Sequence, residues 1–186
     1  MDALGIVLIV VVAVVLIVVF WMIGVSNRIN RYQVTIQESK NTVDIALAKR
    51  YDVLSDLCAT VKKFTDHESE IMGQLIEVRQ GGSIADTNAV IENQNQVMRQ
   101  LYAVGEDYPE LRSSTLYANL QGQIAEQNEY LAAAKRTVNS NISLLNQLAV
   151  TFPSSIVAGM KGCKNTEFLK EENLEMKKDA SVANML

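Results

Sequence analysis

The chain has 186 residues, a net charge of −4 and a mean hydropathy of +0.07, with 48% hydrophobic but only 6% aromatic residues. Two prolines and nine glycines are too few for the turns of a many-stranded β protein, so a helical chain is expected. One histidine and two cysteines argue against histidine-ligated metal chemistry, catalytic triads and a disulfide framework.

The apolar residues are concentrated at one end. Ala3 to Val25 carries no charge and is dominated by Val, Ile and Leu. As a helix this run spans roughly 35 Å, enough to cross a hydrocarbon core of about 30 Å. Trp21 sits near its far end, where an amphipathic ring suits the headgroup region. A cleaved signal peptide would need a basic start, a shorter apolar core and a small-residue cleavage site, so an uncleaved anchor through residues 3–25 is expected. Arg28, Arg31 and Lys40 follow the span and no Lys or Arg precedes it. The positive-inside rule then puts the N-terminus outside and the body in the cytoplasm.

Beyond residue 26, basic and acidic residues are mixed, with neither a basic stripe for nucleic acid nor an acidic tail. Four stretches show helical periodicity. The first, about Ser26 to Lys49, carries Ile29, Tyr32, Ile36, Val43 and Leu47. The second, Tyr51 to Gln80, carries Leu54, Leu57, Val61, Phe64, Ile71, Leu75 and Val78, and Gly81-Gly82-Ser83 ends it. Asp86 is the expected N-cap of the third, which carries Val90, Val97, Leu101 and Val104 and ends near Gly105. Asp107-Tyr108-Pro109-Glu110 reads as a helix start with Pro in the first turn. The fourth stretch has the longest stripe: Leu116, Leu120, Ile124, Leu131, Ala134, Val138, Ile142, Leu145 and Leu148, stopping before Phe152-Pro153.

Four stripes that need one another point to an all-α protein, an N-terminal transmembrane helix continuing into an antiparallel four-helix bundle. A turn is expected between the first two stretches, although no Gly or Pro marks it, because one continuous helix would leave half its stripe unpartnered. The resulting division is an anchor over residues 1–26, a bundle over 27–159, and a mostly flexible tail over 160–186. A short helix over 166–176 would place Phe168 and Leu169 on one side.

Three groups of residues carry a family resemblance. Lys49-Arg50-Tyr51-Asp52-Val53-Leu54, with Val61-Lys62-Lys63-Phe64 and His67-Glu68, is the first, and Tyr108-Pro109-Glu110-Leu111 is the second. The third is Ala133-Ala134-Lys135-Arg136, then Asn139, Asn146 and Phe152 to Gly159. Together, over roughly residues 27 to 169 and behind a single anchor, they resemble the bacterial LemA family. The resemblance implies a membrane-anchored helical bundle without an established enzymatic activity. Its magnetosome membrane members imply, by analogy, a role in membrane organisation. The sequence departs from the family pattern at Ser55, where proline is frequent, at Cys163, where an aromatic is common, and near Asn41, where a tryptophan is expected.

Candidates for chemistry are few. His67-Glu68 lacks the second histidine of a zinc peptidase, since position 71 is Ile. The carboxylates Asp44, Asp52, Asp56, Glu68 and Glu70 lack the histidines of a bundle di-metal site. Cys58 reads as a small core residue and Cys163 as an exposed, oxidisable thiol in the flexible end. Asn128, Asn139 and Asn146 fall on one line of the fourth helix, at the edge of its apolar stripe. That edge could form a polar groove for a ligand or partner; interhelical hydrogen bonds that fix register are the preferred reading. No catalytic, metal or cofactor site is assigned. The expectation is a non-enzymatic membrane protein that binds lipid through residues 3–25, forms homo-oligomers through Phe168 and Leu169, and scaffolds a membrane patch. A sensor using the asparagine edge is the alternative, and an unrecognised enzyme ranks third.

Overall fold

The structure is a computed structural model, and it describes residues 3–64, 68–76 and 81–170. The described residues form helices α1 (Ala3–Val61), α2 (Glu68–Gln74), α3 (Ile84–Asp107), α4 (Pro109–Arg112), α5 (Thr115–Val150) and α6 (Ser154–Met160). The all-α expectation holds, but three long helices, rather than four, supply most of the core.

The difference lies in α1. The turn expected near Tyr51 is absent, and 59 residues form one uninterrupted helix, roughly 90 Å long. Nothing between Lys49 and Asp52 breaks a helix, and Ser55 stands where a proline would have stopped it. The periodic run ends at Val61, so only the short α2 follows before the next break. Gly81 there adopts φ 77°, a conformation open to glycine without strain.

Local chemistry sets the other boundaries. Ser83, rather than Asp86, caps α3: its hydroxyl accepts from the Asp86 N–H at 3.2 Å, and the Asp86 carboxylate accepts from the Ser83 N–H at 2.7 Å. This reciprocal capping box uses Asp86 as the third helical residue. Pro109 opens α4 as expected, but that helix is a single turn before α5. At the far end of α5, the Ser154 hydroxyl lies 2.9 Å from the Leu148 carbonyl and 2.8 Å from that of Thr151, covering acceptors the helix leaves open.

The chain divides into two compact units. The anchor unit comprises residues up to Glu38 with Asn139–Glu167, and the body unit comprises Ser39–Val138 with the described residues from Phe168. The boundary expected at residues 26 and 27 therefore falls inside α1. In the anchor unit, Val25, Ile29, Leu145, Val157 and Ala158 form a small core, flanked by Met22, Tyr32, Ile36 and Leu148. In the body unit, Leu54, Leu57, Cys58 and Val61 pack with Val97, Leu101, Leu111, Tyr117, Leu120 and Ile124, and Ile71 of α2 and Leu75 just after it join them. Gly105 is required at its place in α3: a Cβ there would fall on the Tyr117 hydroxyl, which donates to the Leu101 carbonyl at 3.3 Å. The stripe of α5 is displaced at its start, where Tyr117 is buried and Leu116 is 52% exposed.

Residues 163–170 form no helix, so the described part of the expected 166–176 helix is absent; residues 171–186 lie outside the described residues. Side-chain amides hold this backbone instead. Asn146 donates to the Thr166 carbonyl at 2.9 Å and accepts from the Thr166 N–H at 2.8 Å. In the body unit Asn88 donates to the Phe168 carbonyl at 3.3 Å and accepts from the Lys170 N–H at 2.9 Å. Groups engaged in this way are withdrawn from an i to i+4 ladder.

Leu131 is buried on α5 and Gln123 is exposed. Leu131→Asp should cost about 3–5 kcal/mol by burying a carboxylate. Gln123→Asp should stay within about 0.5 kcal/mol, as surface changes do. Chemical unfolding of the full chain in mild detergent, followed by circular dichroism, measures both. Equal tolerance would show that α5 does not pack through this face.

Candidate functional site

Three helices of the body unit bury side chains at heptad spacing. On α1 the buried positions run Val43, Leu47, Arg50, Leu54, Leu57 and Val61, alternating four and three residues apart. On α3 they include Val90, Gln94, Val97 and Leu101, and on α5 Ile124 and Leu131 flank Gln127 and Asn128. Each seam is thus interrupted by polar residues.

The interruptions meet. Arg50 is 0% exposed, and its Nη2 donates to Asn95 Oδ1 at 2.6 Å. Gln94, also fully buried, donates from Nε2 to the Leu47 carbonyl of α1 at 3.1 Å. The Met98 sulfur lies 3.6 Å from Arg50 Nη2 and 3.7 Å from Asn128 Nδ2, linking α1, α3 and α5 around one atom. Gln94 Oε1, Gln127 Oε1 and Asn128 Oδ1 are buried without a hydrogen-bond partner among the described residues. Beside this layer, burial raises the pKa of Tyr102, with the nearby Tyr117 adding to the rise and the Arg50 charge opposing it. Burial likewise raises that of Tyr117, against a lowering hydrogen bond from Gln121.

A second buried charge lies nearer the start of the unit. Lys40 Nζ reaches both Asp44 carboxylate oxygens, at 3.0 and 2.9 Å, and both side chains are buried. Lys before Asp is the less favourable order along a helix and burial adds a desolvation cost, which the contact to both carboxylate oxygens offsets.

This arrangement presents hydrogen-bond donors and acceptors but no nucleophile paired with a base. Among the described residues, no group of three or more His, Cys, Asp or Glu could hold a metal ion. Asp44 is engaged by Lys40, and Asp52 and Asp56 are exposed. His67 lies outside the described residues. Cys58 is a core residue as expected. Cys163, expected to be exposed, is half-buried against the anchor-unit core.

Asn128 belongs to the body unit and contacts Met98, whereas Asn139 and Asn146 belong to the anchor unit. Asn146 is occupied by the chain's own Thr166. Of the proposed contact pair, Phe168 is 49% exposed but Leu169 is 1% exposed, covered by its own chain. The polar layer itself was missed at Arg50, Gln94 and Asn95. Its signal was present in the sequence: Arg50 occupies an apolar-stripe slot three residues after Leu47 and four before Leu54.

An all-α body with a polar layer in its seam, entered by a helix long and apolar enough to cross a membrane, defines the class of protein. The LemA family model matches residues 39–183, and the chain belongs to the LemA family. It is 24% identical over 161 residues to Protein LemA of Metamycoplasma hominis, covering 84% of this chain and 74% of that protein. The family match begins at Ser39, the first residue of the body unit, and leaves the apolar run outside it.

The polar layer makes a quantitative expectation. Asn95→Leu removes the short hydrogen bond from the buried Arg50 guanidinium to α3 and should cost about 2–3 kcal/mol. In the double variant Arg50→Met with Asn95→Leu, much of that loss should return, because both partners become apolar. A double-mutant cycle by chemical unfolding reads the coupling, and strictly additive costs would show that the two side chains act independently.

Proposed function

We propose that this chain is a non-enzymatic, membrane-anchored scaffold whose helical body associates with further copies to organise a membrane patch. The observation that carries this reading is the continuity of α1: helix, not a flexible linker, joins the apolar run to the seam of the body. The apolar run offers Ala3, Gly5, Ala13 and Gly24 as small residues, no two of them four apart as close helix pairing in lipid prefers. Contacts between copies therefore fall to the body and to exposed side chains such as Phe168. The full-length chain in mild detergent should have a mass above one chain by light scattering, and Phe168→Ser should lower it. A strictly monomeric chain, both in detergent and in densely loaded bilayers, would overturn the scaffold. A sensor is the second reading, favoured by the unpartnered buried acceptors Gln127 Oε1 and Asn128 Oδ1, which a small polar ligand could engage.

The same reading puts the N-terminus outside and the body in the cytoplasm, supported by Arg28 and Arg31 directly after the span. In a Cys163→Ser background, Asp2→Cys should react with an impermeant thiol reagent on intact cells, and Ser113→Cys should not. The opposite labelling pattern reverses the orientation.

A further inference from the structure

The anchor unit has an apolar corner that its own packing leaves uncovered. α6 leaves α5 at 98°. Ser154, Val157 and Ala158 are buried on one side of α6, in or beside the core built on Val25 and Ile29 of α1. The opposite side carries Ile156 and Met160, one turn apart and exposed, and the corner before it carries Val150 and Phe152, the latter 79% exposed. α6 is therefore apolar on both faces. A short helix facing water would place polar residues outward, and clustered exposed apolar side chains mark a contact surface.

Position and charge identify what covers it. A hydrocarbon core of about 30 Å takes about 20 helical residues, so a span beginning at Ala3 leaves it near Met22. Met22 packs against the same core as Val157, and Lys161 at the end of α6 donates to the Ser26 carbonyl at 3.3 Å and to Asn30 Oδ1. α6 thus lies level with the first turns beyond the span, at headgroup depth. The described charges of the anchor unit are Arg28, Arg31, Lys161 and Lys164 against Glu38 and Glu167; the two acids stand at the ends of its segments, and the residues nearest the span and α6 carry only basic charge. A second copy set against this face would meet like charge. Anionic headgroups would meet opposite charge, with apolar side chains below them.

We propose that the α5–α6 corner inserts Val150, Phe152, Ile156 and Met160 into the headgroup–acyl boundary of the bilayer that α1 spans, a second and shallow lipid contact that rests on the anchor reading of α1. Interfacial helices bury such a face about 5–10 Å deep. With α6 only seven residues long, the corner lies in the interface and does not cross it.

Tryptophan depth quenching tests this in the full-length chain, which has one Trp. In a Trp21→Phe background, a single Trp is placed by Phe152→Trp, Val12→Trp or Leu116→Trp, all at exposed positions. The proteins are reconstituted into phosphatidylglycerol-containing vesicles with lipids brominated near the headgroup or near the chain ends. The Trp at 152 should be quenched several-fold more by the shallow bromines than by the deep ones. The Trp at 12 should show the reverse preference, and the Trp at 116 neither. Quenching at 12 with none at 152 would overturn the insertion and leave the anchor standing. A blue-shifted but unquenched Trp at 152 would overturn it in favour of a protein cover, a second copy above all. Absence of quenching at 12 as well would overturn the anchor, and the insertion with it.

Discussion

A helix cannot alter its backbone hydrogen bonding when it passes from hydrocarbon into water; only its side chains can register the change. α1 joins a segment apolar enough to cross a membrane to an amphipathic one without a break. Up to Ile23 its large apolar residues, apart from the half-buried Met22, are exposed on all sides. From Val25 onward burial narrows to one stripe, and the remaining faces turn polar. The changeover is completed within about two turns, and the anchor-unit core is built there, with Leu145, Val157 and Ala158 closing over Val25 and Ile29. Without that cover, Val25 and Ile29 would stand exposed where the apolar segment gives way to the amphipathic one.

A long amphipathic helix with a regular stripe has a complementary problem, which is register. Sliding one seam past another by a heptad keeps apolar residues in contact with apolar residues, so hydrophobic burial alone discriminates poorly among registers. Arg50, Gln94, Asn95 and Asn128 remove that ambiguity. A shift by one turn would separate the guanidinium from Asn95 and leave both in apolar surroundings, a penalty of several kcal/mol. Gln94 acts similarly by binding the Leu47 backbone carbonyl, an acceptor already engaged by its own helix and reachable only where α3 approaches closely. The layer thus trades burial energy for a unique alignment of α1, α3 and α5.

How much of this was legible in the sequence follows from which signals are local. Helical period, the apolar run, Pro109 at a helix start and the stop before Pro153 are short-range properties, and the structure reproduces them. The turn near Tyr51 was an inference from partner-counting, made against the local absence of any breaker, and local chemistry prevailed. Asp86 and Ser83 are both competent caps, and only the reciprocal geometry selects Ser83. The asparagines at 128, 139 and 146 share a line on α5, but what each one meets depends on segments distant in sequence. Asn146 meets Thr166, a contact no periodicity announces. Arg50 is legible in principle, because it fills a slot of the apolar stripe between Leu47 and Leu54, where a charged side chain must be buried with a partner.

The two asparagine clamps explain how the chain is held from α6 to residue 170. Residues 163–170 bury little beyond Leu169 and the half-buried Cys163, too little to fix eight residues against their conformational entropy. A side-chain amide that donates to one peptide group and accepts from another imitates a neighbouring strand, and Asn146 and Asn88 each do so, one in each unit. Lys135 adds a third restraint by donating to the Lys170 carbonyl at 3.3 Å. With the backbone tied at Thr166 and again from Phe168 to Lys170, Leu169 is carried into a buried position that its own apolar area would not secure alone. Polar side chains projecting from helices α3 and α5 therefore substitute for secondary structure in the segment that follows them, which shows no periodicity and is nevertheless held.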